Sequence, residues 1–185
     1  MRETARDARP DGILVQEARN GHAEAMDLLV VRHHAAVFRT SVAILGDEDL
    51  ADDAAQETFI RAVKALDGYR GDAAFRTWLL AIAANVARGL LRRGRSRREA
   101  PLEAAPEFGA DDPDVVHRIA VTERAEGVRE KLDSLPEKQR LAVSLRIFEG
   151  LSFREVGELI GSSEGAARVN YHHGIRRLRE LVNDE

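Results

Sequence analysis

Apolar positions along the chain recur at helical rather than strand spacing. Ala25, Leu28 and Leu29 form one such group, and Phe59, Ile60, Val63 and Leu66 form another. Gly46 and the pair Asp67-Gly68 punctuate them. A further helical stretch is expected from about Ala74 to Arg93. No segment sustains strand alternation, and alanine, a strong helix former, is abundant. Residues 12–93 therefore predict one small helical domain.

The pattern then changes. Pro101, Pro106 and Pro113 are three of the chain's five prolines, and acids and alanine fill much of the rest of residues 94–114. Such a stretch buries too little apolar surface to order itself. We expect an acidic, proline-containing linker over residues 94–124, flexible to about 114, that lets the flanking domains move independently unless a partner clamps them. Helical patterning returns, and residues 125–182 form the second expected domain. Within it, Val128 to Val182 divides into about four helices, with breaks near Ser134, Gly150 and Gly161. Ser134-x-x-Glu137 and Ser152-x-x-Glu155 both read as capping boxes, with Pro136 in the first turn of the former. The fold class is all-α: two small helical domains joined by the linker, with no internal repeat.

The segment Leu151 to Leu181 carries the most specific local pattern. A short helix from about Phe153 to Ile160 meets Gly161, which supplies a positive φ. Ser162 is the expected N-cap of a longer helix that follows. Gly157 stands where a crossing helix leaves no room for a side chain. This is the layout of a helix-turn-helix. On the second helix Ala167, Tyr171, Gly174, Leu178 and Leu181 should face the core. Gly165, Ala166, Val169, His172, His173, Arg176 and Arg177 occupy the other face. It is small at first, suited to thymine methyl groups, and then basic.

Net charge is −4 over 185 residues, which at first argues against a polyanionic partner. The total hides segregation. Asp47, Glu48, Asp49, Asp52, Asp53 and Glu57 form an acidic run, and Glu99 to Asp114 forms another. Between them, residues 85–98 hold Arg88, Arg92, Arg93, Arg95, Arg97 and Arg98 and no acid. Binding of nucleic acid depends on local charge, so such a run points to a polyanion despite the global balance. The one tryptophan, Trp78, and Phe75 precede these arginines; aromatics beside arginines can stack on unpaired bases.

Catalytic chemistry finds little support. Asp53 and Glu57 share a helical face and could act as an acid–base pair or, with Asp52 and His33-His34, as a carboxylate–metal site. No glycine-rich phosphate loop accompanies them, and a docking face for a basic protein fits better. His172 and His173 point about 100° apart on a helix, which is poor for one metal. They could instead make binding pH-sensitive. There is no cysteine, hence no disulfide or thiolate site. No secretory signal and no apolar run near the roughly 18 residues of a membrane helix are expected. We expect a cytoplasmic protein with no membrane insertion, no catalytic residues, no metal and no cofactor.

Both halves resemble one family. Ala51 to Ala62 resembles the polymerase-binding helix of sigma-70 factors, and Phe75 to Asn85 resembles their promoter-melting helix. Leu135-Pro136 through Leu181 resembles the domain that reads the −35 element. With only these two domains, the chain is similar to the extracytoplasmic-function (ECF) group. The resemblance implies that Asp52, Asp53, Gln56, Glu57 and Phe59 bind core RNA polymerase. It assigns Phe75, Trp78, Asn85, Arg88, Arg92 and Arg93 to the −10 region of promoter DNA, with the loop Gly68 to Ala74 capturing an extruded base. It assigns Ser152, Arg154, Ser163, Arg168, Val169, His172, His173 and Arg176 to the −35 element. An anti-sigma partner is implied as well. Ala84, Asn170 and His173 depart from the family's usual basic residues, which alters the expected −35 preference. The competing reading is a stand-alone helix-turn-helix regulator, which leaves the acidic helix and the Trp78–Arg93 block without a task.

Overall fold

The computed structural model describes residues 8–98 and 131–183. The N-terminal unit has four helices: α1 (Asp11–Arg19), α2 (Ala23–Leu45), α3 (Glu48–Ala65) and α4 (Phe75–Arg98). A single 3₁₀ turn, Leu66–Gly68, follows α3. The C-terminal unit contains α5 (Glu137–Ile147), α6 (Phe153–Leu159) and α7 (Glu164–Asn183), preceded by a helical turn at residues 131–133. No strand occurs among the described residues.

Helix α2 is the hub, packed against α1, α3, α4 and α5. Its inward residues Leu29, Ala36, Val37 and Ile44 are buried. By length and composition alone α2 is long and apolar enough to cross a membrane, as the core helix of a folded domain also can be. It carries Arg32, His33, His34 and Arg39, and its apolar face is the centre of the core. Gly46 ends it at φ 71°, its N–H returning to the Val42 carbonyl at 2.8 Å. Asp47 then caps α3, accepting from the Leu50 N–H at 2.9 Å. Glu48 and Asp49 follow in the first turn, where the helix dipole favours acids.

Two sequence expectations need correction here. Helix α4 runs to Arg98, so the segment expected to open the linker at residue 94 is still helical; its arginines sustain a helix well. The linker from residue 99 to 124 lies outside the described residues. The capping box at Ser134 does not form: α5 starts at Glu137 after Pro136, and the Ser134 hydroxyl instead donates to the Lys131 carbonyl at 2.7 Å. Ser134 therefore closes the preceding turn rather than opening the next helix.

In the structure the two units are packed together. Buried apolar residues run continuously from Leu14 and Val15 through α2 and α4 to Leu141, Leu145 and Ala167. Among the described residues, several hydrogen bonds cross between the units. Arg39 Nε donates to Glu149 Oε1 at 2.8 Å, and Arg76 reaches both the carboxylate and the carbonyl of Glu149. Thr77 Oγ1 donates to Glu155 Oε1 at 2.8 Å, Arg140 Nε to the Ala43 carbonyl at 2.7 Å, and Arg88 to the Leu159 carbonyl.

Candidate functional site

Helix α3 has two distinct faces. Ala51, Ala54, Ala55, Thr58, Phe59 and Ala62 are buried, and Thr58 satisfies its hydroxyl on the Ala54 carbonyl at 2.6 Å. Asp52, Asp53 and Gln56 are exposed, while Glu57 accepts from Arg61 Nε at 2.6 Å. Leu50, Ile60 and Val63 are exposed apolar neighbours on the same helix. Carboxylates beside aliphatic groups suit a basic protein surface. Phe59 departs from the expected docking set: it is 9% exposed, its ring stacked with His34 at 6.2 Å.

The segment between α3 and α4 is organised by aromatic rings. Tyr69 lies 5.7 Å from Phe75 and 5.1 Å from Trp78, and Phe75 lies 5.5 Å from both Trp78 and His33. Phe75 is only 3% exposed, so the expectation that it meets a base is corrected; Trp78 is half-buried. His33 Nε2 is 2.7 Å from Asp11 Oδ2; burial, helped by the nearby Arg76 and Arg32 charges, lowers its pKa against the opposing pull of the Asp11 carboxylate. Asn85, Arg92 and Arg93 lie exposed along α4. Arg88 does not: it is engaged with Leu159 and partly buried, which pulls its pKa below the usual arginine value. Thr77, Ala81, Asn85 and Arg88 line a small cleft whose opposite wall is Glu158 and Leu159 of α6. The C-terminal unit thus covers part of the α4 face.

The helix-turn-helix forms as the glycines require. The Ser162 N–H donates to the Gly157 carbonyl at 2.8 Å, and Gly161 has φ 63°, closing α6 in a Schellman motif. A Cβ on Gly157 would stand 3.0 Å from the backbone of Ser162 and Ser163. Ser163, not Ser162, caps α7, accepting from the Ala166 N–H at 3.2 Å; Ser162 is spent on the turn. Ser152 caps α6 in a complete box with Glu155, and the Ser152 hydrogen bond is the largest cause lowering the Glu155 pKa. Both serine hydroxyls are therefore used within the motif. On α7, Ala167 and Gly174 face inward, while Arg168, Val169, His172, His173, Arg176 and Arg177 are exposed. Arg154 is exposed on α6, with Glu158 at 3.2 Å.

An apolar groove of about 460 Å³ lies between the units, lined by Phe38, Val42 and Ala43 of α2 and by Leu132, Leu145 and Phe148 of the C-terminal unit.

Known proteins decide what these surfaces belong to. Residues 29–98 match the family model for Sigma-70 region 2, and residues 125–178 match that for Sigma-70, region 4. The RNA polymerase sigma-H factor of Pseudomonas aeruginosa is 35% identical over 181 residues, spanning 94% of this chain and 92% of that protein. The ECF RNA polymerase sigma-E factor of Escherichia coli K12 is 32% identical over 183 residues, spanning 95% of this chain and 93% of that protein. The chain belongs to the ECF group of the sigma-70 family. The fold agrees: CnrH, solved in complex with the cytosolic domain of CnrY, superposes with a TM-score of 0.69 at 26% identity, covering 95% of this chain and 98% of that one.

Sequence reasoning about this sigma factor missed several residues. Arg146 and Arg168 place their guanidinium carbons 5.0 and 4.8 Å from the centroid of the Phe153 ring, beside Tyr171. Arg146 thus joins the exposed face of α7 from α5, a neighbour that helical spacing within one segment does not reveal. Glu149 and Arg19 were likewise missed, because their partners lie far away in sequence.

Proposed function

We propose that this sigma factor divides promoter recognition between its two units. Asp52, Asp53, Gln56 and Glu57 on α3 dock on core RNA polymerase. Trp78, Asn85, Arg88, Arg92 and Arg93 hold the melted −10 strand, with the loop Gly68 to Ala74 capturing one extruded base. Arg154, Arg168, Val169, His172, His173 and Arg176, joined by Arg146, meet the −35 duplex. The observation that carries this reading is the order, in one chain, of an acidic docking helix, an arginine-bearing helix and a helix-turn-helix. The protein works in the cytoplasm, where polymerase and promoter are, and catalyses no reaction itself.

Helix α6 lies over Thr77 and Arg88, so the −10 face is partly masked in the free protein, and the units part when polymerase binds. The apolar groove between them is the proposed seat of an anti-sigma partner; CnrH was solved with the cytosolic domain of CnrY bound. Co-purification with core polymerase tests the assignment. The wild-type chain should be retained and Asp53→Lys should not. Retention of neither would favour a stand-alone DNA-binding regulator.

A further inference from the structure

Arg19, at the end of α1, lies outside the residues that match the region 2 family model. Its guanidinium nonetheless gathers the segment that leads into the loop after α3. Nε and Nη2 donate to the Leu66 carbonyl at 3.0 and 2.7 Å, and Nη2 also meets the carbonyls of Tyr69 and, at 3.4 Å, Asp67. The guanidinium carbon lies 6.0 Å from the Tyr69 ring centroid. Tyr69 in turn donates its phenol proton to the Ala73 carbonyl at 2.7 Å, bridging the loop. Between them Arg70 pairs with Asp72, and Gly71 takes φ 81°. The loop is thus shaped by side chains: one guanidinium at its base and one phenol across it.

Helix α1 is itself fixed. Leu14 and Val15 are fully packed, and Asp11 pairs with Arg32 at 2.5 Å and His33 at 2.7 Å. Arg19 therefore projects from a rigid support. A planar five-donor fork can collect several carbonyls at once, which the single ammonium of lysine cannot do in the same geometry.

We propose that Arg19 is a positioning residue for promoter melting: it holds the Leu66–Ala74 segment in the shape that receives the extruded −10 base. The proposal rests on reading that loop as the base-capturing element. Holding the loop in advance lowers the ordering cost of capture, which must otherwise be met together with the few kcal/mol of lost stacking.

The test uses holoenzyme assembled from core polymerase and full-length sigma variants. The probe is a fluorescent single-stranded oligonucleotide carrying the nontemplate −10 strand of a promoter mapped by run-off transcription, with a matched series bearing one abasic site at each −10 position. Wild-type holoenzyme should lose affinity sharply at the captured position alone. Arg19→Ala and Arg19→Gln should weaken binding of the intact strand about tenfold, the scale of losing a charged hydrogen bond. They should then be indifferent to the abasic site at that position. Arg19→Lys should recover part of the loss, and affinity for core polymerase should be unchanged in all three. If the Arg19 variants respond to the abasic site as fully as wild type, Arg19 does not shape the capture site. If wild type ignores every abasic site, the loop captures no base, and both the loop assignment and the proposal fall.

Discussion

Arg76 holds Glu149 at two points: Nη1 donates to its main-chain carbonyl at 2.7 Å while Nη2 meets its carboxylate. Glu149 is 3% exposed and sits in the bend just after α5, so this clamp joins the two units at a buried point. Arg39 completes it from α2 at 2.8 Å. A buried acid with two cationic partners becomes a liability when those partners are removed.

Glu149→Gln keeps the shape and removes the charge. It should weaken the contact by about 1–3 kcal/mol, discounted because Arg39 and Arg76 remain partly exposed. The units should separate more often, raising the radius of gyration in small-angle scattering. Free Glu149→Gln should also bind single-stranded −10 DNA better than wild type, because α6 no longer lies over Thr77 and Arg88. A compact, unchanged variant would show that the clamp does not govern the arrangement.

Gly157→Ala should damage −35 binding selectively. Its methyl group would meet the backbone of Ser162 and Ser163 at 3.0 Å, where no flexible side chain can yield. Overpacking of this kind costs about 1–3 kcal/mol and tilts α7 relative to α6. Fluorescence anisotropy on a −35 duplex should show weakened binding, while core polymerase affinity through α3 is retained.

Ser152→Ala removes the hydroxyl that caps α6 and the main hydrogen bond to Glu155. The expected cost is about 1 kcal/mol. Thermal unfolding should report a lower Tm, with Ser152→Thr close to wild type.

His33 gives the N-terminal unit a pH dependence of definite sign. Burial lowers its pKa below 6.5, so the folded state favours the neutral ring and the unfolded chain takes up a proton first. The stabilisation from the neutral ring is complete above the unfolded value. It is lost as pH falls from there through the folded pKa. Tm should therefore drop between pH 7.5 and pH 5.5, and His33→Gln should flatten the drop. A larger drop in the variant would contradict the assignment.

The helices were legible because each repeats its apolar residues locally, as α2, α3 and α7 do. Gly161 and Gly157 were legible because a turn and a close approach both exclude side chains. On α3 and α4, Asp52, Asp53, Gln56, Asn85, Arg92 and Arg93 are all exposed. Phe59 and Phe75 could not be sorted this way, since an aromatic at helical spacing serves a core and a binding face equally. The choice of cap between Ser162 and Ser163 turned on which residue the turn consumes. Arg19, Arg146 and Glu149 were invisible because their roles depend on contacts with other helices, such as Arg19 with Leu66 and Glu149 with Arg76.

The most direct test of the central claim is run-off transcription on a genomic promoter pool with purified core polymerase, with and without this protein. New transcripts with defined starts are expected, sharing upstream −10 and −35 sequences, and Asp53→Lys should abolish them. An active core that yields the same transcripts whether or not the protein is present would contradict the account.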